Sequence, residues 1–119
     1  MEPVLEVHGL DARALPPPFE IKTAHDEQAF LIALYGEVDV ANVHVLRAAS
    51  RRAERYATPE VVVDLSALTY MDSTGLSVLL ALHTRCQEQG RTLRLLPGPP
   101  QVQRIFQICG LLERLNFQD

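Results

Sequence analysis

From Phe19 onward the chain alternates, with Phe19, Ile21 and Thr23 in one phase and Glu20 and Lys22 in the other. That two-residue period predicts a half-buried strand. After the polar turn His25-Asp26-Glu27, the run from Ala29 to Tyr35 is apolar in both phases. It reads as a central strand covered on both faces, paired with the first as a hairpin and ended at Gly36.

The period then changes. Val43, Leu46, Ala49, Ser50 and Ala53 form one helical stripe, with Arg47, Arg51, Glu54 and Arg55 outside it. Asp39 or Asn42 can cap this helix, because a short side-chain oxygen satisfies free backbone amides. Thr58-Pro59 stops it. The β-branched run Val61–Val63, continued by Asp64-Leu65, predicts a short buried parallel strand. A loop over 66–72 then leads into an apolar helix from Thr74 or Gly75 to Gln89. Leu76, Leu79, Leu80 and His83 mark its core face, and Val78, Ala81 and Leu82 widen it. Gly90 is the expected stop.

Leu93 and Leu95 flank Arg94 in a further strand, closed by Pro97-Gly98-Pro99-Pro100. Val102, Ile105, Phe106 and Cys109 follow at helical spacing up to Gly110, and Leu111, Leu112, Leu115 and Phe117 make a last apolar patch. The order β-β-α-β-α-β-α implies an α/β fold. Right-handed crossovers give it a mixed, mostly parallel central sheet of about four to five strands, with helices packed against it.

Residues 1–18 read differently. Val4 to His8 suits a short strand, but Pro16-Pro17-Pro18 stiffens the chain and blocks ladder pairing. The expected division is an N-terminal extension with a Pro-rich linker over 1–18 and one regular domain over 19–119, since a chain of 119 residues holds a single core. Trp is absent and aromatic residues are 6%, so aliphatic side chains must fill that core.

The net charge of −4 has the wrong sign for a nucleic-acid binder. Arg47, Arg51, Arg52 and Arg55 recur at helical spacing and read as a solvated helix face rather than a phosphate-binding stripe. The start of the chain lacks a basic stretch followed by an apolar run, and the longest apolar stretch, Val78–Leu82, is too short to span a bilayer. Cys86 and Cys109 stand apart on apolar helical positions, without metal-ligand spacing, as small buried hydrophobes. A reducing cytoplasm fits these features.

The chemistry concentrates in Asp72-Ser73-Thr74-Gly75-Leu76, between a strand and an apolar helix. Asp, Ser and Thr there are a helix-cap signature, yet one capping residue suffices and three are present. Gly75 keeps the backbone bare beside them. An exposed serine at a helix N-terminus also suits modification, because free amides and the helix dipole tolerate a phosphate.

Catalysis is a poor reading. A nucleophile elbow needs glycines two residues before and after the serine, and here those positions are Met71 and Gly75. His8, His25, His44 and His83 are scattered, and His83 lies along the same helix as Ser73. No phosphate-loop glycine run is present. His83 and Cys86 supply only two metal ligands, which do not make a site. Glu37, Asp39, Asp64 and Asp72 fall near predicted strand ends and read as turn and cap residues rather than an acid–base pair. The expectation is a non-enzyme without cofactor or metal.

Three motifs in order resemble the STAS domain family, and within it the free-standing bacterial anti-sigma factor antagonists. They are Gly36-Glu37-Val38-Asp39, then Val62-Val63-Asp64-Leu65-Ser66 through Tyr70-Met71-Asp72-Ser73-Thr74-Gly75-Leu76, then Gly110-Leu111 after the last helix. The resemblance runs from about Phe19 to Phe117 and implies the STAS fold. It implies that Ser73 is phosphorylated by a partner kinase that is itself an anti-sigma factor, and that a separate phosphatase reverses this. Asp39 and Asp72 would sit near the kinase interface, with Thr74, Gly75 and Leu76 completing the partner-binding segment. The alternative within the family is a regulatory subunit of a membrane transport complex, in which Ser73 stays unmodified.

Overall fold

Asp26 closes the first turn by side-chain chemistry: its Oδ1 accepts from the amides of Gln28 at 2.8 Å and Ala29 at 3.0 Å. That turn joins β1 (Glu20–His25) to β2 (Ala29–Val38) in an antiparallel hairpin. The structure, a computed structural model, describes residues 19–118, so the strand and linker expected within 1–18 lie outside the described residues. After β2 come α1 (Val43–Arg55), β3 (Glu60–Met71), α2 (Ser73–Glu88), β4 (Thr92–Leu96) and α3 (Pro100–Ile108). The sheet order is β1-β2-β3-β4, with β2 parallel to β3 and β3 parallel to β4. Phe117 adds one parallel bridge to Leu95. The expected mixed, mostly parallel α/β architecture is therefore present.

Register explains the core. Phe30, Val61 and Leu93 align across three strands, as do Ile32, Val63 and Leu95. All six are buried in one cluster with Leu46, Ala49 and Ala53 of α1, Leu79 and Leu82 of α2, and Val102 and Phe106 of α3. The other face of the sheet behaves differently. Ala33 is buried between its register partners Lys22 and Asp64, but Leu31 and Tyr35 stay partly exposed. The both-phase apolar run of β2 thus packs its large side chains on one face only. Arg91 ties α1 to β4: its guanidinium donates to the carbonyls of Thr58 at 2.7 Å and Ala53 at 3.0 Å, a cation placed at a helix C-terminus.

Two predicted boundaries move for one reason. β2 does not end at Gly36 but runs on to Val38, and β3 takes in residues 66–71 of the loop expected over 66–72. Gly36 takes φ 90°, which only glycine adopts readily, and the ladder shifts register on either side of it. The Thr69 hydroxyl donates to the Gly36 carbonyl at 3.0 Å and fastens the irregular stretch. Leu68 and Met71 are buried while Ser66, Ala67, Thr69 and Tyr70 are exposed, so the bulges erase the simple alternation.

Two helix faces are also corrected. The buried side of α2 carries Gly75, Leu76, Val78, Leu79, Leu82 and Cys86. Ala81 is exposed, and Leu80 and His83 are half-buried on a flank shared with Leu111 and Leu115. Cys109, expected inside, is exposed because α3 ends at Ile108 and leaves it at the C-cap. Cys86 is buried as expected.

Candidate functional site

The parallel strands β2 and β3 end level with each other, Val38 opposite Met71. The next residue of each strand is an aspartate, so Asp39 and Asp72 leave the carboxyl edge of the sheet side by side. Carboxyl ends of parallel strands are where open α/β sheets present their binding surfaces. The Asp72 amide donates to the Val38 carbonyl at 3.2 Å, tying the two exits together.

Asp72 has extended backbone angles and caps α2. Its Oδ1 accepts from the amides of Thr74 at 2.9 Å and Gly75 at 3.4 Å, and from the Thr74 hydroxyl. Burial alone would raise this carboxyl. The Thr74 hydroxyl and the amides of Thr74, Gly75 and Val40 outweigh it and hold the group below the ordinary aspartate value of 3.8. Asp72 is therefore a fixed anion.

Asp39 organises the neighbouring turn rather than capping α1 from its side chain. Its Oδ1 accepts from the Ala41 amide at 2.9 Å, while its own amide donates to Asn42 Oδ1 at 3.0 Å. The Asn42 side-chain amide donates to the Glu37 carbonyl at 2.9 Å. Asn42 holds the N-cap position but spends its side chain on that loop. Asp64, grouped with these acids by sequence, lies inside β3 and accepts from the Ser66 amide at 2.9 Å.

Ser73 is the first residue of α2 and is exposed. Among the described residues its hydroxyl makes no hydrogen bond. Of three cap candidates, Asp72 does the capping, Thr74 reinforces it, and Ser73 is left free. Thr74 is half-buried, whereas Gly75 and Leu76 are buried beneath it. A β-carbon on Gly75 would lie 2.6 Å from Met71 Cγ and 3.0 Å from Val38 Cγ1. Its bareness lets α2 approach the ends of β2 and β3.

Sequence reasoning assigned no role to two neighbours. Val40, beside Asp39, is 73% exposed, and Tyr70, two residues before Asp72, is 47% exposed. The available signal at Val40 was an apolar residue set beside an acidic one where the strand period had already lapsed. His83 Nδ1 is buried without a partner on the Leu80 flank of α2. Burial pushes the Cys86 thiol up. Among the described residues no three His, Cys, Asp or Glu side chains gather as metal ligands, and no helix is long and apolar enough to cross a membrane.

Residues 20–119 match the STAS domain family, and the chain belongs to it. Within the family it falls in the anti-sigma factor antagonist branch. It is 34% identical over 88 residues to the anti-sigma-F factor antagonist RsfA of Mycobacterium tuberculosis, covering 72% of this chain and 69% of that one. It is 25% identical over 99 residues to the anti-sigma-B factor antagonist of Staphylococcus aureus, covering 83% and 92%. The fold also resembles the anti-sigma factor antagonist SpoIIAA in its unphosphorylated form, with TM-score 0.71, 24% identity, and 86% and 89% of the two chains covered. For the phosphorylated form of Bacillus SpoIIAA the TM-score is 0.65 at 23% identity, with 86% and 92% covered.

Proposed function

We propose that this chain is a cytoplasmic anti-sigma factor antagonist that binds an anti-sigma factor serine kinase and thereby releases the sigma factor. Phosphorylation of Ser73 ends the binding, and a phosphatase restores it. The reading rests on one observation above all. Ser73 is exposed and, among the described residues, unbonded at the first position of α2, while the neighbouring Asp72 already supplies the cap. A serine needed for folding would be hydrogen-bonded; this one is free to be a substrate.

The relatives' names support the regulatory class, and two physical points support the switch. A phosphoserine carries a charge of about −1.5 to −2. At Ser73 that charge meets the anion of Asp72 and the adjacent Asp39, so a partner surface fitted to a neutral hydroxyl and two carboxylates meets strong like-charge repulsion. Within the monomer the N-terminal dipole of α2 offsets part of the repulsion, and the fold persists. Asp39, Asp72 and Thr74 form the contacting surface in this reading. Gly75 and Leu76 act from below by fixing the height of α2.

The test is direct. The protein is incubated with ATP and a candidate anti-sigma kinase encoded beside it, and phosphate is mapped by mass spectrometry. Label at Ser73 that disappears in Ser73→Ala supports the switch. Label elsewhere, or undiminished in Ser73→Ala, rejects it.

A further inference from the structure

Arg47 and Arg51 of α1 line a groove that Arg85 of α2 closes from the other side. The arginine stripe is therefore not one uniform solvated face. Arg52 turns toward the Phe30 ring, 6.0 Å from its centroid, and Arg55 lines a separate hollow near Pro59. Glu54 holds Arg85 at 2.7 Å and is the one carboxylate among the groove's described lining residues, against three arginines, in a chain whose net charge is −4.

A second feature of the groove is unsatisfied chemistry. Ser50 lines it at only 4% exposure, and among the described residues its hydroxyl has no hydrogen-bond partner. A buried polar group without a partner is costly and marks a place where a further group completes the site. Ser77 adds an exposed hydroxyl on the α2 rim.

The groove also continues the Ser73 site. The two helices follow parallel strands, and the Glu54–Arg85 contact sets an offset of 31 residues between them. That offset puts the start of α1 level with the start of α2, so the groove opens at the end where Ser73 and Asp72 sit. Ser77 is one turn below Ser73 on the same helix face.

We propose that this groove docks an acidic peptide segment of the anti-sigma factor kinase, an inference that rests on the proposed function. The occupant's shape follows from the spacing of the donors. From Arg47 to the level of Glu54 and Arg85 the groove runs along two helical turns, about 10 Å, the length of about three extended residues. Val78 and Leu82 give the floor between the guanidinium groups an apolar character. An extended chain with spaced carboxylates satisfies both ends and the floor, which a single compact oxyanion does not. The segment's carboxylates pair with Arg47 and Arg51, displace Glu54 from Arg85, and give the Ser50 hydroxyl an acceptor. Docking there brings the kinase onto the face that carries Ser73.

The full chain, labelled with nitrogen-15, is titrated with a hexaglutamate peptide and, separately, with inorganic phosphate. The expected result is peptide-induced shifts concentrated at Arg47, Ser50, Arg51, Ser77 and Arg85 that fade with added salt. They vanish in Arg47→Glu/Arg51→Glu. Glu54→Gln, which frees Arg85, tightens the peptide about two- to fivefold, an effect that simple destabilisation would not produce. Against the kinase, the double charge reversal weakens binding about tenfold or more, with the thermal melt unchanged. Diffuse or absent peptide shifts, saturation by phosphate but not peptide, or unchanged kinase affinity in the double variant overturns the docking groove. Failure of the unmodified wild-type chain to bind any anti-sigma kinase overturns the proposed function instead, and the peptide titration still decides whether the groove takes acidic chain.

Discussion

The amide of Asp72 donates to the carbonyl of Val38 at 3.2 Å, so the end of β3 is bonded to the end of β2 at the residue that also caps α2. Asp72 thus joins three elements. Replacing it with Ala should cost about 0.5–2 kcal/mol near neutral pH, as loss of a helix cap does. Because its folded-state carboxyl lies below the ordinary 3.8, the charged cap stabilises above that value, and the benefit is lost as pH falls through the lower folded one. Wild type and Asp72→Ala should therefore converge in denaturant midpoint as pH drops below that ordinary value, while Asp72→Asn keeps most of the stability with a flatter pH dependence. Chemical denaturation at a series of pH values checks this.

Gly75→Ala should destabilise by about 1–3 kcal/mol. The added methyl would lie 2.6 Å from Cγ of Met71, which is 3% exposed, and 3.0 Å from Cγ1 of Val38, so the packed side chains must shift. In the interior of an exposed helix the same change would be favourable, since Ala is the better helix former. A rise in the thermal midpoint would therefore show that α2 does not sit as close to the strand ends as described.

Much of the site was legible from sequence because its signals are local. A cap residue, a free serine and a helix-opening glycine lie within four consecutive positions, Asp72 to Gly75. The element order was legible too, because the stripes of α1 and α3 and the β-branched start of β3 each carry one clean period. What sequence hid is non-local. The extension of β3 through Ser66–Met71 depends on pairing with a bulged β2, and no window of β3 alone contains Gly36. The core face of α2 was misdrawn because apolar residues ring the helix, and only its neighbours decide that Leu80 and His83 lie half-buried on a flank while Ala81 is exposed. Sorting the α1 arginines between groove and solvent likewise required α2 to be in place.

The two cysteines should separate cleanly under alkylation. Cys109 is exposed, whereas Cys86 is 1% exposed and its thiol is pushed up by burial. The thiolate is the reactive form, so native protein should take one iodoacetamide at Cys109, and the second only on unfolding. Peptide mass spectrometry after brief labelling reads this out. Rapid native labelling of Cys86 would mean that α2 opens from the sheet.

Charge at Ser73 should act on binding and spare the fold. Ser73 makes no hydrogen bond among the described residues, so Ser73→Ala should leave stability within about 0.5 kcal/mol of wild type. Ser73→Glu places a carboxylate at the first position of α2, where the helix dipole favours it by about 0.3–1 kcal/mol. Repulsion from Asp72 opposes that gain, and the thermal midpoint should barely move. Affinity for the anti-sigma kinase should divide the same two variants. On the proposed function, Ser73→Ala should retain binding, while Ser73→Glu should lose about tenfold or more, because the new charge would face a partner fitted to a neutral hydroxyl and two carboxylates. Calorimetric titration of both variants, alongside their melts, reads the two quantities independently. Equal affinities would remove charge from the mechanism, and a collapsed melt in Ser73→Ala would return Ser73 to a structural role in the helix cap.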